Sequence, residues 1–209
     1  FGAGLPRVSD GSLMFVQHMI SKMNRIHDDE GQPSRIAVVL NGSPLFTGSA
    51  GSGESEIRRW VIEKDWLEAI VAMPTDMFYN TGIATYIWII TNKKKPSRRG
   101  KIQLVNAVDM HTPMRKSLGS KRKQISDDQI KTITEWFDGD QDDSNENIKW
   151  FDNTDFGYHR ITVERPLKLN FKVDSDRLDV LKETKAFIKL DEGMQQSIMN
   201  ALSTLDGIS

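Results

Sequence analysis

The sequence predicts an α/β fold, in which a mixed sheet with helices is followed by an α-rich extension. Apolar runs of strand length occur at residues 35–40, 67–74 and 83–92. An amphipathic stretch at 54–66 separates the first two runs, which is the order of a βαβ unit. The linker at 75–82 is too short for a crossover helix, so the second and third strands should be antiparallel.

The first strand follows a predicted helix over residues 13–24, whose first turn can be capped by Asp10 or Ser12. The run RIAVVL at 35–40 is continuously apolar, which is typical of a strand buried on both faces of a parallel sheet. The first two strands should therefore be parallel neighbours or near neighbours, joined by a right-handed crossover. Residues 101–108 predict a fourth strand after a basic turn.

The chain changes character after Asp109, where polar segments and helices replace the apolar runs. The predicted helices lie at 126–137, 174–190 and 194–205, and a short β pair lies at 158–171. This pattern divides the chain into an α/β layer at 1–110 and an extension at 111–209. The last two helices carry apolar faces with no obvious core to complete, so we expect them to contact other subunits.

The composition excludes several functional classes. The 209 residues include no cysteine, which excludes disulfides and thiolate metal sites. The four histidines are scattered without an HExxH spacing, so we predict no metal site. No apolar run approaches the roughly 20 residues of a membrane helix, so we expect no membrane contact and a cytoplasmic location.

A net charge of -1 conceals two basic clusters, at 93–101 and 115–123. For the first cluster we favour a solvated hairpin tip over contact with DNA phosphates. For the second, contact with DNA phosphates and simple solvent exposure are both open, because phosphate contacts need only positive charge in the right place. The candidate phosphate ligands in this second cluster are Arg115, Lys116, Lys121, Arg122 and Lys123.

The stretch LNGSPLFTGSAGSGESEIRRW at 40–60 resembles a cofactor loop at first sight. Its glycines at 48–53 are spaced G-x-x-G-x-G, whereas a dinucleotide fingerprint needs G-x-G-x-x-G. Gly53 is followed by Glu54 instead of the Lys-Ser/Thr of a P-loop, and a carboxylate in the first helical turn opposes a bound phosphate. We therefore predict a flexible, solvent-facing loop rather than a phosphate cradle.

Several sequence blocks occur in a specific order: FGAGLP, DGSLMFVQHMISKM, NGSPLFTG, EIRRWVIEKDWLEAIVAMP, FYNTGIATYIW, MRKSLGSKRKQIS and YHRITVERPLKLNF. Together they resemble the C-terminal half of the methyltransferase (modification) subunit of type I restriction-modification systems, which are N6-adenine DNA methyltransferases. The resemblance extends from Phe1 to about Phe171.

The resemblance implies the second half of a Rossmann-like sheet that uses S-adenosylmethionine and ends in an antiparallel hairpin. Residues 35–41 would be the strand just past the catalytic centre. Residues 67–73 would be the edge strand, with 83–91 inserted antiparallel beside it. The implied partners are DNA, a specificity subunit and a restriction (nuclease) subunit.

The family's two catalytic motifs do not occur in this sequence. The seven prolines are all isolated, so no Asn-Pro-Pro-Phe/Tyr loop is present, and no glycine stretch matches the family's cofactor loop. We expect both motifs before Phe1. The resemblance therefore implies no catalytic residue within the 209 residues, and a chain that is inactive on its own.

The resemblance does place two segments beside the site. The first, in the vicinity of the target base, is Phe78, Tyr79, Asn80, Thr81 and Gly82. Its aromatic rings can stack on a flipped adenine, and the amide or hydroxyl can bind the base edge. The alternative is a tight loop, with Phe78 packed inward and Gly82 at a positive φ.

The second segment, an expected wall of the active site, is Asn41, Gly42, Ser43 and Pro44. It follows the first strand at the carboxyl edge, where α/β sheets bind their ligands. The alternative is a turn that only ends the strand, which Asn-Gly alone explains. For the chain as a whole, the rival to a methyltransferase is a non-catalytic α/β module that binds nucleic acid or a protein partner.

Overall fold

The computed structural model describes residues 2–24, 31–139, 141, 144–165 and 174–205. The helices are α1 (Ser12–Ser21), α2 (Ser43–Phe46), α3 (Gly53–Glu63), α4 (Asp127–Asp138), α5 (Ser175–Lys182), α6 (Lys185–Ile188) and α7 (Glu192–Ser203). The strands are β1 (Arg35–Asn41), β2 (Leu67–Met73), β3 (Thr85–Thr91), β4 (Lys101–Asn106), β5 (Thr112–Leu118), β6 (Lys121–Gln124) and β7 (Ile148–Asp152). Short 3-10 turns lie at Pro96–Arg98 and Asn153–Phe156.

Five strands form one mixed sheet in the order β1-β3-β2-β4-β7, and β5 and β6 form a separate hairpin. β3 lies between β1 and β2 and is antiparallel to both, so β1 and β2 run in the same direction. The antiparallel pairing predicted from the short linker is confirmed. The expected edge position of 67–73 is wrong, because β4 pairs parallel with β2 on its other side and β7 adds beyond β4.

The sheet carries helices on both faces because its strands alternate their apolar side chains. Trp88 and Ile90 of β3 belong to the core that also contains Val16 of α1 and Ile57 of α3. Ile89, between them in sequence, belongs to the opposite core. The residues of α4 that pack against this second core are Ile133, Trp136 and Phe137. Each fully buried aliphatic or aromatic side chain contributes about 1.5–3 kcal/mol relative to exposure.

Several predicted helices end at other residues in the structure; α1, for example, ends at Ser21 instead of 24. For two of them the contacts show why. α3 stops at Glu63 instead of 66, because Asp65 takes a left-handed φ of 55° and the Trp66 amide donates to the Val61 carbonyl. The helix predicted at 174–190 is two helices, α5 and α6, since the Thr184 hydroxyl caps a new first turn. Asp191 caps α7 in the same way.

Three strands lie where the sequence predicted none. β5 and β6 form a hairpin from the polar second basic cluster, and β7 lies between the helix predicted at 126–137 and the β pair predicted at 158–171. Conversely, residues 158–165 contain no strand, so the first part of the predicted β pair is wrong. The remainder of that pair, 166–171, lies outside the described residues.

The chain divides into two compact units, 1–160 and 161–209. The division comes later than the predicted boundary near residue 110, because β7 joins the same sheet as β4 and α4 packs on that sheet. The first unit holds the whole sheet and every segment that the sequence places near a site. The second unit consists, in its described part, of α5, α6 and α7.

The first basic cluster is not simply a solvated tip. Lys94 is 4% exposed, and its Nζ lies 2.6 Å from Asp65 Oδ1 and 2.6 Å from the Lys101 carbonyl oxygen. Burial lowers the pKa of Lys94, while Asp65 opposes that shift. Arg98 is 2% exposed and lies 3.9 Å from the buried carboxylate of Glu68. These two cations stabilise the fold, so the predicted solvated role is wrong for both.

The Arg98 guanidinium ties α4 to the sheet. It donates to Gln103 Oε1 at 3.2 Å, to the Gly139 carbonyl at 3.0 Å, and to the Phe137 carbonyl. It also lies over two aromatic rings, 4.9 Å from the Phe137 centroid and 5.1 Å from that of Trp150. Such a planar fork presents five N–H donors in a fixed geometry, whereas the ammonium of a lysine presents three donors on a flexible stem.

Candidate nucleic-acid interface

The loop at 75–82 connects the end of β2 to the start of β3. It lies at the edge of the sheet formed by the carboxyl ends of β1 and β2. Asp76 takes a left-handed φ of 60°, and its amide donates to the Gly82 carbonyl at 3.4 Å. Phe78 and Thr81 form an isolated β-bridge within the loop. A Cβ added at Gly82 would lie 2.7 Å from Asp76 Oδ1, so a larger residue there would displace the Asp76 carboxylate. The positive φ predicted for Gly82 belongs to Asp76 instead.

The side chains at the tip of this loop face solvent. Tyr79 is 64% exposed and Phe78 is 38% exposed, so Phe78 is not packed inward as the tight-loop alternative required. Asn80 is also exposed. Two aromatic rings and an amide are therefore accessible at the sheet edge, which is a surface suited to stacking and hydrogen bonding.

The hairpin formed by β5 and β6 packs against this loop. The Ser120 amide donates to the Tyr79 carbonyl at 2.8 Å. The Arg122 amide donates to the Asp76 carbonyl at 2.9 Å, and Lys123 Nζ donates to Thr75 Oγ1 at 3.3 Å. The sequence predicted the base loop and the phosphate cluster as separate features. The structure brings them together.

The hairpin is strongly basic. Residues 112–124 contain no acidic side chain. Arg115, Lys116 and Arg122 are exposed, while Lys121 and Lys123 are partly buried. Lys121 Nζ lies 5.3 Å from the centroid of the Tyr79 ring, within the range of a cation–π contact. A positive charge thus lies beside the exposed ring of the loop.

The predicted wall lies at the same edge of the sheet. Asn41 at the end of β1 and Met73 at the end of β2 are both paired with Thr85, the first residue of β3. The Asn41 side chain accepts from the Ser43 amide at 3.0 Å, which starts α2. Pro44 is buried in α2. The wall and the loop therefore flank the start of β3.

A network from the N-terminal segment fixes this wall, and the sequence did not predict it. Ser43 Oγ donates to Asp10 Oδ2 at 2.5 Å and accepts from Arg7 Nη2 at 2.9 Å. Arg58 of α3 donates to the carbonyls of Pro44 and Thr47 at 3.0 and 2.7 Å. Ser43 and Pro44 were predicted as wall residues, and Asp10 as a possible helix cap. The structure gives α1 no side-chain cap, so that prediction is wrong; the Asp10 carboxylate accepts from the Ser12 amide and also reaches across to the wall.

The glycine stretch is half exposed and half packed. Residues 48–51 face solvent, with left-handed φ angles at Gly48 and Gly51. Gly53 instead lies against the chain itself, because an added Cβ would overlap the Leu5 carbonyl. The prediction of a solvent-facing loop is wrong at this end. Because residues 4–7 pack against the start of α3, the glycine stretch does not fit a cofactor cradle.

The carboxylates of Asp10, beside the wall, and of Glu54, at the end of the glycine stretch, are held in their ionised form. Hydrogen bonds from the Ser12 and Ser43 side chains lower the pKa of Asp10 below its ordinary value of 3.8. The Arg7 amide, donating to Glu54 Oε1 at 3.0 Å, lowers the pKa of Glu54 below 4.5. A carboxylate at the first turn of α3 suits the positive end of the helix dipole and opposes a bound phosphate there.

We expect these carboxylates to make stability fall in acid. Because both pKa values are lowered in the fold, their contribution is present above the ordinary values of 3.8 and 4.5 and is lost as pH falls through the lowered folded values. The double variant Asp10→Asn, Glu54→Gln should be less stable at pH 7 and should show a flatter pH dependence. Urea unfolding at several pH values measures both. Parallel curves for variant and wild type would contradict the prediction.

A groove lies on the first unit between the β7 side of the sheet and α3, together with Gly48, Ala50 and Gly51 of the preceding glycine stretch. Its volume is about 1710 Å³, and its lining includes Tyr86, Leu104, Phe151, Phe156 and Tyr158. None of the loop residues 75–82 contributes to it. Among the residues that the structure describes, no three His, Asp or Glu side chains gather as a metal site would require. No helix in the described ranges is long and apolar enough to cross a membrane.

The sequence model of the family named N-6 DNA Methylase matches residues 1–156. The chain belongs to the N-6 DNA methylase family. The matched range contains the loop, the wall and the basic hairpin, and it ends close to the boundary of the first compact unit. The resemblance inferred from the sequence blocks is thereby confirmed.

Curated relatives of this N-6 DNA methylase chain are methylase subunits of type I restriction enzymes. The MjaVII methylase subunit of Methanocaldococcus jannaschii is 23% identical over 177 residues, which cover 83% of this chain and 29% of that protein. The HindI methylase subunit of Haemophilus influenzae is 32% identical over 105 residues, covering 50% of this chain and 21% of that protein. The chain thus spans less than a third of either relative.

A solved structure supports the fold. The type I restriction-modification methyltransferase subunit from Streptococcus thermophilus aligns with a TM-score of 0.58 and 19% identity. The alignment covers 71% of the N-6 DNA methylase chain and 28% of the other. At this identity the likeness establishes the mixed α/β fold alone.

Proposed function

We propose that this chain forms the DNA-facing part of an adenine-N6 methyltransferase subunit in a type I restriction-modification system. The observation that carries the proposal is the basic hairpin docked on the exposed loop 75–82. Positive charge for the DNA backbone and aromatic rings for an unstacked base then lie on one surface. The family membership and the names of the relatives give the reaction class.

In the proposed complex, the hairpin side chains contact phosphates and fix the register of the protein on the DNA. These phosphate contacts do not themselves read the base sequence. Tyr79, exposed at the tip of the loop, stacks on the target adenine once it has left the helix. Asn80 offers an amide to the edge of that base. The wall at 41–44 bounds the site and excludes water from one side.

The methyl group comes from S-adenosylmethionine when that cofactor is bound in the whole enzyme. The described residues of this chain do not form its cradle, because segment 4–7 and the Glu54 carboxylate occupy the only glycine-rich helix start. The Asn-Pro-Pro-Phe/Tyr motif is likewise absent from the sequence. The role of this chain is therefore to bind and orient DNA, and orientation supplies much of the rate in such reactions.

We also propose a specificity subunit and a restriction subunit as partners, following the systems in which the relatives act. The second unit offers apolar side chains for such contacts. Val180, Ile188 and Met194 of α5, α6 and α7 are all more than half exposed. A helical surface of this kind is typical of protein–protein interfaces.

The expected result for residues 1–209 alone is no methyl transfer and no measurable affinity for S-adenosylmethionine. The complete subunit carrying this chain, assembled with its specificity subunit, should transfer labelled methyl groups to DNA. Calorimetry with the cofactor and a labelled-methyl assay measure both.

Two outcomes would contradict the proposal. Micromolar cofactor binding by the isolated chain would mean that the glycine stretch at 48–53 is the cofactor site. DNA binding without any methyl transfer by the complete assembly would favour the non-catalytic interaction module.

A further inference from the structure

We infer that the basic hairpin sets the position of loop 75–82, and that Gly119 is the positioning residue. Phosphate binding and capture of the target base are then coupled through one rigid contact. This inference rests on the proposed function, since it concerns the same surface.

The contact between hairpin and loop is made by backbone groups. Ser120 N to Tyr79 O and Arg122 N to Asp76 O are direct amide–carbonyl bonds of 2.8 and 2.9 Å. The Lys123 amide also reaches the Asp76 carbonyl, at 3.2 Å. Because no side chain intervenes, the two backbones are held at a fixed distance, unlike a contact between long flexible side chains.

Gly119 makes this close approach possible. Its φ is 62°, a left-handed value, and a Cβ added there would overlap the Tyr79 carbonyl oxygen. The overlapped atom belongs to the backbone, so it cannot turn aside as a side chain would. Any residue with a Cβ must push the hairpin away from the loop or push the loop away from the hairpin.

The loop has little freedom to absorb such a shift at its base. Asp76 is held in a left-handed conformation by the Gly82 carbonyl and by Thr75 Oγ1, which donates to Asp76 Oδ2 at 3.0 Å. Displacement at the Tyr79 carbonyl therefore moves the exposed tip, where the Tyr79 ring meets Lys121. A misplacement of about 1 Å at a reacting geometry can cost about 100-fold in rate.

The test is Gly119→Ala in the complete methyltransferase assembly. We expect kcat to fall about 10- to 100-fold. The KM for DNA and the salt dependence of binding should change little, because the five basic side chains remain. Fluorescence of 2-aminopurine at the target position, which reports unstacking of the base, should fall with kcat.

Gly100→Ala is the matched control. Gly100 has a similar left-handed φ of 73°, and nothing lies within 4 Å of an added Cβ. This variant carries the same backbone strain without the overlap, so its kcat and its fluorescence signal should equal those of the wild type.

A second variant, Thr75→Val, keeps the test decisive if Gly119→Ala does not assemble. It removes the hydroxyl that joins Lys123 to Asp76 and leaves the volume and the charges unchanged. We expect kcat to fall for this variant too, by about threefold. The inference would be overturned if Gly119→Ala and Gly100→Ala had equal kcat values. If Gly119→Ala does not assemble, equal kcat values for Thr75→Val and the wild type would overturn it. Methyl transfer by the wild-type assembly shows separately that the proposed function holds.

Discussion

Neutralising the hairpin should weaken DNA binding by the complete assembly and flatten its salt dependence. The substitutions replace five side chains by neutral ones of similar length: Arg115, Lys116, Lys121, Arg122 and Lys123. Each lost contact with duplex DNA lowers the log–log slope by about 0.9, so five contacts would remove about 4.5. Affinity measured between low and moderate salt gives the slope. The effect should be largest at low salt, where released counterions contribute most.

The control is a set of five exposed lysines elsewhere in the chain, changed in the same way: Lys22, Lys64, Lys95, Lys131 and Lys149. This set changes net charge equally and leaves the hairpin intact. Its slope should stay close to that of the wild type. A hairpin variant with an unchanged slope would leave the cluster as solvent-facing charge and would remove the DNA-facing role of this surface.

Removing the buried guanidinium is expected to have the largest effect on stability. Arg98→Met should cost about 3–5 kcal/mol of unfolding free energy, because it leaves buried acceptors without a donor. Those acceptors are Gln103 Oε1 and the carbonyls of Phe137 and Gly139. Denaturant unfolding followed by circular dichroism measures the loss. Arg98→Lys should lose less, since it keeps the charge without the planar fork.

Arg59→Met is the matched control for this prediction. The Arg59 side chain is 62% exposed and pairs with Glu56 and Glu63 on the surface of α3. Exposed pairs of this kind contribute about 0–1 kcal/mol. If Arg98→Met proved no more costly than Arg59→Met, the guanidinium would not be the tie between α4 and the sheet.

The first three strands of the sheet could be predicted from the sequence for a clear reason. The runs at 67–74 and 83–92 are apolar enough to require burial, and the length of the linker at 75–82 dictates antiparallel pairing. The run at 35–40 does form a strand, but its predicted burial on both faces is wrong, because β1 lies at the edge of the sheet with Val39 49% exposed. The sequence could not show that 67–73 is interior. That position depends on β4 and β7, and β7 contains too few residues and too much charge to give a strand pattern of its own.

The buried cations show a second limit of sequence reasoning. Lys94 and Arg98 lie in a run that has the composition of a surface turn. Their burial depends on Asp65 and Glu68, which are distant in sequence and which no local pattern links to them. A charge is buried when a partner is present, and sequence alone does not identify the partner.

The candidate site was predictable in parts and not as a whole. The resemblance singled out loop 78–82, and the charge pattern singled out 115–123. The hairpin itself was missed because its strands are polar and its register is irregular. Its conformation is stabilised by the carbonyls of Asp76 and Tyr79, some 40 residues earlier. The one local signal was Gly119, a glycine between two basic runs.

The packing of Gly53 against Leu5 also has a consequence for the order of folding. The N-terminal segment is bound by groups that are synthesised later, as in the bond from Arg7 to Glu54, which spans 47 residues. At about 5–20 residues per second, a ribosome needs roughly 2–9 s to make the intervening chain. During that interval residues 4–7 have their contacts with Gln17 and Asp10 but lack Gly53 and Glu54. The docking of this segment on α3 is therefore completed only after α3 has emerged.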